Sequence, residues 1–417
     1  MTEQKNNFNL NSLLKETHIN INKEDKKNAL SVIKNTPLPT TKIEEWKYTR
    51  VSKIGKIKFK NNEANIDDIS KYIVDDTKYS FIFINGHFSN EHSIKKNPEG
   101  VEIKILSKKN KEFGNSSLKI KNQIFNAINT FYLNDGLLID IKPGTKIEKP
   151  IQIIHILKGD NIISNFKVII NAGESSESSF VQGFFSDSGN NNFCNTTSEI
   201  KVGKKAKLNI DKIQFESEQS FHISTEQVKQ EKESNFKINT FTLNGGIVRN
   251  NLNIDVDGQN CETHLNGAYL LKNKQHVDNH SIVDHKVANC LSHELYKGVI
   301  DDNSTAVFNG KVFVRRNAQK INAFQSNKNI LLSDNASINS KPELEIYADD
   351  VKCSHGSTTG ELDENSIFYL KTRGLSDKSA RNLLISAFFQ DVISNIENQK
   401  VKRCISQLLN DRFEWNI

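Results

Sequence analysis

Cysteine is scarce in this 417-residue chain, and the few cysteines present lie far apart. There are five, widely separated along the chain and without any C-x-x-C pair: Cys194, Cys261, Cys290, Cys353 and Cys404. A disulfide framework typically uses an even number of cysteines, whereas a self-contained four-cysteine zinc or cluster site typically contains closely spaced pairs. The sequence therefore disfavours both, and this chain can supply only some of the ligands of a metal site.

Long apolar runs are missing as well. No segment approaches the roughly 18 apolar residues that a membrane-spanning helix needs, and Met1–Asn7 lacks the apolar core of a secretory signal. The 56 basic and 50 acidic residues are intermixed, so the net charge of +6 is not concentrated in a basic tail or patch. We therefore expect a soluble, cytoplasmic protein that binds neither membranes nor nucleic acid.

The common motifs of catalysis are also absent. The glycine-containing segment Leu243–Ile247 lacks the Lys-Ser/Thr of a phosphate-binding loop and the helix that follows it. No G-x-S-x-G elbow, nucleophile–base pair or paired carboxylates stand out. Nothing in the sequence requires an enzyme.

What the chain does contain is a long series of short apolar or alternating segments between residues 100 and 360. Clusters rich in Ser, Asn, Asp and Gly separate them, and helical periodicity is absent there. Asn-Gly pairs occur at 244–245, 266–267 and 309–310. The second spacing is about twice the first, which suggests coils of about 22 residues in a parallel β-helix. The alternative is an antiparallel sandwich with loosely spaced turns. Before this region, residues 78–87 predict a strand that ends in an Asn-Gly turn.

Helical periodicity returns after residue 362. A short helix is predicted up to Gly374, Ser376 is a candidate N-cap for the next helix over about 377–396, and a last helix covers roughly 398–411. The middle helix carries two apolar stripes: Ala380, Leu383, Leu384, Ala387 and Phe388 form the first, and Ile385, Phe389, Val392, Ile393 and Ile396 form the second. A surface helix needs only one such face. The second stripe predicts either internal packing or a bound partner.

Cys353 and His355 form the most suggestive pair of side chains. They follow an alternating strand and two acids, Asp349 and Asp350, and are flanked by Lys352 and Gly356. In an extended segment the two side chains share a face, with roughly 7 Å between their Cβ atoms. Such a thiolate and imidazole can reach one soft metal or one cluster edge, whereas a buried thiol beside a capping imidazole is the plain structural alternative. A cluster usually takes four ligands, so the remainder has to come from another chain.

A second set of histidines and cysteines lies between residues 261 and 293: Cys261, His264, His276, His280, His285, Cys290 and His293. If this region is made of strands, His276 and His280 lie about 13 Å apart and cannot share an ion. We expect most of these residues to form polar ladders or turns between stacked coils, with a metal site across coils as the alternative.

Several segments, in order along most of the chain, resemble the SufB/SufD family of iron–sulfur cluster assembly. The segments that carry the resemblance are Glu44–Thr49, His276–His280, Val283–His285, Glu294–Gly298, Phe308–Val312, Gln325–Asp334, Pro342–Gly356 and Phe368–Gly374. The C-S-H-G and P-E-L-E-I-Y-A-D-D-V sequences resemble the SufD branch more than the SufB branch.

The resemblance implies a mainly β fold: a right-handed parallel β-helix core over 101–361, an N-terminal mostly helical region over 1–100 and a C-terminal helical domain over 362–417. It implies a non-catalytic scaffold that pairs with a SufB-like paralogue and docks a SufC-like ABC-type ATPase, or forms a homodimer when alone. His355, with Cys353, would hold a transient iron–sulfur cluster or iron at the SufB interface, without a permanently bound cofactor. The stripe Ile385, Phe389, Val392, Ile393 and Ile396 is expected to bind the ATPase. A SufB-type paralogue and a carbohydrate-active β-helix enzyme are the alternatives.

Overall fold

A computed structural model describes residues 16–74, 78–108 and 123–413. Two long, mostly parallel sheets wind into a parallel β-solenoid of about eight turns, with helices towards both ends of the chain. The mainly β prediction is confirmed, and the antiparallel sandwich is wrong.

The part of the chain before the solenoid mixes helix, tight turns and short strands. Its elements are helix α1 (Lys23–Asn35), the 3-10 turns Glu44–Trp46, Ile54–Lys56 and Ser70–Tyr72, strands β1 (Tyr79–Ile84), β2 (His87–Phe88), β3 (Ile94–Lys95) and β4 (Val101–Ile105), the 3-10 turn Leu106–Lys108 and helix α2 (Ile124–Phe131). The predicted Asn-Gly turn is confirmed: Asn85 and Gly86 have φ values of 52° and 80° and join β1 to β2. Residues 1–15 of the predicted helical region lie outside the described residues.

Sixteen further strands build the solenoid. They are β5 (Asp135–Ile141), β6 (Ile151–Lys158), β7 (Ile163–Ala172), β8 (Glu177–Ser188), β9 (Phe193–Val202), β10 (Lys207–Phe215), β11 (Phe221–Gln230), β12 (Asn235–Asn244), β13 (Ile247–Val256), β14 (Glu262–Leu271), β15 (His276–His285), β16 (Leu291–Ile300), β17 (Thr305–Val314), β18 (Ile321–Leu331), β19 (Ser337–Ile346) and β20 (Val351–Gly360). The even-numbered strands from β6 to β20 pair in order and form the even sheet, which β1 joins at its start. The odd-numbered strands from β5 to β19 form the odd sheet.

Each coil is longer than the sequence predicted. Leu208 pairs with Phe236 of the next coil, and Leu291 pairs with Asn322, so one coil takes about 30 residues. The predicted length is wrong because the Asn-Gly pairs are not equivalent: one ends β12, whereas Gly267 and Gly310 lie inside β14 and β17. A Cβ at Gly267 would lie 2.2 Å from the Tyr296 ring, so this glycine makes room for a neighbouring strand's side chain and marks no turn.

The polar clusters between strands form tight turns with a left-handed residue. Asn161, Asn191, Asn260, Asn273 and Asn289 all have φ between 55° and 62° in such turns. Asparagine tolerates this conformation better than most residues, because its short polar side chain can bond locally to the backbone. These five asparagines therefore suit the turns of the solenoid.

The inward sides of both sheets bury alternate apolar residues in one continuous core, which includes Ile210, Phe236, Ile254, Leu265 and Phe308. Outside the solenoid, helix α2 packs on β7 and β9 of the odd sheet. Three helices follow β20: α3 (Glu364–Thr372), α4 (Asp377–Ile393) and α5 (Gln399–Phe413). They lie on the outer face of the even sheet, where α4 contacts β14 and β16 and α5 contacts β12.

The two predicted signals at the ends of these helices are confirmed: Gly374 has φ of 94° after the end of α3, and the Ser376 side chain caps α4. The Asp363 side chain also accepts hydrogen bonds from the first turn of α3. No helix within the described ranges is long and apolar enough to cross a membrane.

Candidate functional site

The last coil of the solenoid has two long strands that are paired on one side only. Strand β19 pairs with β17 and β20 with β18, and no other strand of the described chain pairs with either. Each is ten residues long, and no residue of β20 is fully buried. At the other end of the solenoid, the outermost strands β2, β3 and β4 have only two, two and five residues. A long unpaired strand edge offers a row of free backbone donors and acceptors to another chain.

Cys353 and His355 lie on β20 and face the interior of this open coil. Cys353 pairs with Ala323 and His355 with Gln325, both of which are buried on the inward side of β18. The prediction that the two side chains share one strand face therefore agrees with the register. Cys353 is half-buried and packs against the solenoid core, whereas His355 is exposed at the rim.

Polar side chains at the positions equivalent to His355 in the two preceding coils form a polar column. His355 pairs with Gln325 of β18, which pairs with Glu294 of β16. The Gln325 side-chain amide donates to Glu294 Oε2 at 2.7 Å, and the Ser281 hydroxyl donates to Glu294 Oε1. Gln325 Oε1 is buried without a hydrogen-bond partner among the described residues. The side chains stacked next to His355 inside the solenoid are therefore polar.

The chemistry of this rim suits capture of a metal ion delivered from outside. Burial raises the pKa of the Cys353 thiol above its usual range, so the group stays protonated until a metal displaces the proton. The His355 imidazole makes no hydrogen bond to a described residue and can offer a ring nitrogen. Two such side chains are too few for an iron–sulfur cluster, which usually takes four ligands.

The His/Cys-rich stretch 261–293 divides among separate places, mostly as ladder and turn residues. His276 bonds to Thr49 at 2.8 Å, and His280 pairs with Asp278 at 2.9 Å. His264 and His293 stack on the outer face of the even sheet with ring centroids 5.9 Å apart. Buried His285 bonds to Ser292 at 2.9 Å, and Cys261 and Cys290 occupy stacked turns.

The stripe predicted to bind a partner is instead internal. Ile385, Phe389, Val392, Ile393 and Ile396 are all buried, and they pack against the outer residues of the even sheet, Ile213, Phe241, Leu270 and Val299. In the folded chain this stripe is not accessible to another protein. The other stripe of α4 is accessible in part: Ala380 is buried, whereas Leu383 is 44% exposed and lines a groove together with Tyr369 of α3, which is 56% exposed.

Comparison with known proteins identifies the family. Residues 155–388 match the SufBD core domain of the SUF system for FeS cluster assembly, and residues 7–153 match the SufBD protein N-terminal region. This chain belongs to the SufB/SufD family. The resemblance inferred from the sequence is thereby confirmed, and the alternative of a carbohydrate-active enzyme is not supported.

Relatives within the SufB/SufD family align over almost the whole chain. An iron–sulfur cluster assembly SufBD family protein of Synechocystis is 29% identical over 94% of this chain and 91% of its own length. The iron–sulfur cluster assembly protein SufD of Escherichia coli is 26% identical over 92% of this chain and 91% of its own length. The chloroplastic protein ABCI7 of Arabidopsis thaliana is 31% identical over 88% of this chain and 81% of its own length.

Beyond the residues quoted for the SufB/SufD resemblance, the solenoid interior holds polar groups that the sequence patterns did not single out. Lys212 is 1% exposed and bonds to Ser224 at 2.6 Å, Glu226 at 2.7 Å and Asn250 at 3.0 Å. Near it lie Cys194, Glu216 and His222, which are also buried. Polar residues at inward positions of the strand alternation were the available signal, but their assembly depends on the register between coils.

Proposed function

We propose that this chain is a non-catalytic, SufD-like scaffold subunit for iron–sulfur cluster assembly. The E. coli relative that is named SufD aligns over 92% of this chain, and the Synechocystis relative is named as a cluster assembly protein. The proposal includes a cytoplasmic location, although the Arabidopsis relative is named chloroplastic.

The observation that carries this proposal is the open last coil. Free edges on β19 and β20 allow strand addition by a second chain, which brings main-chain hydrogen bonds and places its side chains against the rim. A SufB-like paralogue is the proposed partner, because a related solenoid would present matching edges. A second copy of this chain is the occupant when no paralogue is present, and a SufB-type role for the chain itself is the alternative.

The cargo of the rim is a nascent iron–sulfur cluster or its iron. Cys353 and His355 supply this chain's ligands from one face of β20, and the paralogue supplies the others. Imidazole is an established cluster ligand that alters the charge and the reduction potential of the cluster. The cluster is transient, since two ligands from this chain cannot hold it alone.

The docking surface for a SufC-like ATPase is the exposed face of α3 and α4. A shallow groove of about 500 Å³ lies there, lined by Asp363, Asn365, Ser366, Tyr369, Leu370, Leu383, Leu384 and Ala387. Covering the exposed part of Leu383 removes apolar surface from water and thereby favours association. This surface replaces the buried stripe that the sequence favoured.

Proline substitutions at Ser357 and Thr358 test the open edge. In a parallel strand, the backbone groups of successive residues point to opposite neighbours, and proline has no N–H to donate. One of the two variants therefore loses a hydrogen bond to β18, and the other loses a donor only on the free edge. Each is coexpressed with the paralogue, and recovery of the complex and thermal stability are measured.

We expect one proline variant to be destabilised, whereas the other keeps its fold and loses the paralogue. Glu364→Pro, at the first position of α3, where proline is tolerated, serves as a control away from the edge and should still bind the paralogue. If the folded edge variant recovers the paralogue at the wild-type yield, strand addition at β20 is refuted. Sedimentation of the chain alone tests the homodimer with the same pair of variants.

A further inference from the structure

A sulfur, an oxygen and a nitrogen ligand meet inside the solenoid, away from the open coil. Cys194 of β9 pairs in register with His222 of β11, and Glu216 comes from the turn between β10 and β11. One ligand atom from each lies within 4.8 Å of the others. All three are buried, with 1%, 1% and 0% exposure for Cys194, Glu216 and His222.

The hydrogen bonds within this cluster leave a carboxylate oxygen unsatisfied. Glu216 Oε2 lies 2.7 Å from His222 Nδ1, and the other ring nitrogen lies 3.3 Å from the Thr196 hydroxyl. Glu216 Oε1 is buried without a hydrogen-bond partner among the residues that the structure describes. The hydroxyl of Ser164, which pairs with Cys194 in the preceding coil, is also buried and unpartnered there. A buried, unpaired oxygen is costly, more so on a charged group.

The charge balance favours a divalent cation at this position. A thiolate, a carboxylate and a neutral imidazole together neutralise an M²⁺ ion, so the filled site carries no formal charge in a dry interior. The neighbouring Lys212 ammonium does not take part in this balance, because it is paired with Glu226 at 2.7 Å. Without a metal, burial and the Glu216 charge raise the pKa of the Cys194 thiol, and metal binding releases its proton.

We infer that Cys194, Glu216 and His222 bind one divalent transition-metal ion of the Zn²⁺ or Fe²⁺ class. Sulfur and nitrogen ligands select these metals over Ca²⁺ and Mg²⁺, which prefer oxygen. With metal–ligand bonds of about 2.0–2.3 Å, tetrahedral ligand atoms lie about 3.5 Å apart, so a small rearrangement brings the three atoms together. The ion would join β9, β11 and the turn that connects β10 to β11.

This site is separate from the cluster rim on β20. The strands β13, β15 and β17 lie between β11 and the open edge of the odd sheet. Because the three ligands are fully buried, the ion enters as the chain folds and is not exchanged afterwards. The interior ion therefore has a structural role, and it does not depend on the proposed scaffold function.

The test uses the full-length chain with Cys353→Ser and His355→Ala, which removes the rim ligands. This chain is unfolded, refolded with Co²⁺ as the probe under reducing conditions, and passed through a desalting column. We expect one Co²⁺ per chain, a thiolate-to-cobalt absorption band and a higher melting temperature than without metal. EDTA added after folding should leave the band in place.

Cys194→Ala should abolish the band, whereas the matched control Cys261→Ala, another buried thiol, should retain it. Glu216→Gln preserves the side-chain shape, and we expect it to fold and to lose bound cobalt at least tenfold. If Cys194→Ala fails to fold, the metal site is tested by comparing the bound cobalt of Glu216→Gln with that of Cys261→Ala. A folded chain that refolds without bound cobalt, or loss of the band in Cys261→Ala alone, would overturn the assignment.

Discussion

His355→Ala should remove the cluster from the assembled complex and leave the fold intact. The side chain is exposed and makes no hydrogen bond to a described residue, so truncation loses little packing. We expect the free energy of unfolding to change by no more than about 0.5 kcal/mol, as is usual for surface substitutions. By contrast, truncating a fully buried aromatic residue such as Phe389 costs about 3–5 kcal/mol.

The loss of cluster is expected to be much larger than the loss of stability. A cluster is usually held by four ligands, and a single altered outer partner of a metal ligand already weakens binding on the order of tenfold. Removal of a direct ligand should therefore lower the iron and acid-labile sulfide content of the complex by at least about tenfold. Cys353→Ser should have a smaller effect, because the family resemblance points more firmly to the histidine.

The assay measures iron and acid-labile sulfide per complex after anaerobic reconstitution with the paralogue and the ATPase. His293→Ala is the matched control, since this histidine lies on the outer face and stacks on Phe324 at 5.1 Å. It should retain the wild-type cluster content. Full cluster content in His355→Ala would refute the site assignment, whereas a low content in both histidine variants would point to a general loss of the complex.

Two further predictions concern the docking surface and the pH dependence of stability. Leu383→Lys should abolish recovery of the ATPase in a pull-down and leave the melting temperature nearly unchanged. Phe389→Ala, by contrast, should lower the melting temperature. If folded Leu383→Lys still binds the ATPase, the proposed docking surface is contradicted. Burial raises the pKa of Asp211 to about 6 from 3.8, so folding favours its protonated form, and the contribution of this group to stability falls by about 3 kcal/mol as the pH rises from 4 to above 6. Asp211→Asn should remove this fall in denaturant titrations, and an unchanged pH profile would contradict the burial argument.

The strands and the class of the fold could be predicted because alternation is a local property. A solenoid strand needs an apolar residue at every second position, and β13 displays this as Leu252, Ile254 and Val256. The coil length could not be obtained in the same way. The glycines of the Asn-Gly pairs serve different purposes, since Gly245 has φ of 131° in a turn while Gly310 accommodates the Gln325 side chain.

The candidate sites differ in how far a local pattern determines them. Cys353 and His355 are separated by a single residue, so the strand period alone puts them on one face. The orientation of α4 could not be predicted from a local pattern, because both of its stripes are apolar. Only the position of the even sheet determines which stripe is buried. Cys194 lies a whole strand away from Glu216 and His222 in the sequence, and the three meet only through the register of successive coils.

The path of the chain after the last strand explains why the open edge remains available. From Gly360 the chain could have folded across β19 and β20, as a cap that protects a solenoid from edge-to-edge association. It turns back instead, and α4 and α5 bury their apolar residues on β12, β14 and β16. These helices stabilise the flank of the even sheet, and no strand of the described residues covers the ten-residue edges of β19 and β20. Such edges promote aggregation unless another strand pairs with them. In the proposed scaffold, the strand that covers the edge would also bring the partner's ligands to Cys353 and His355.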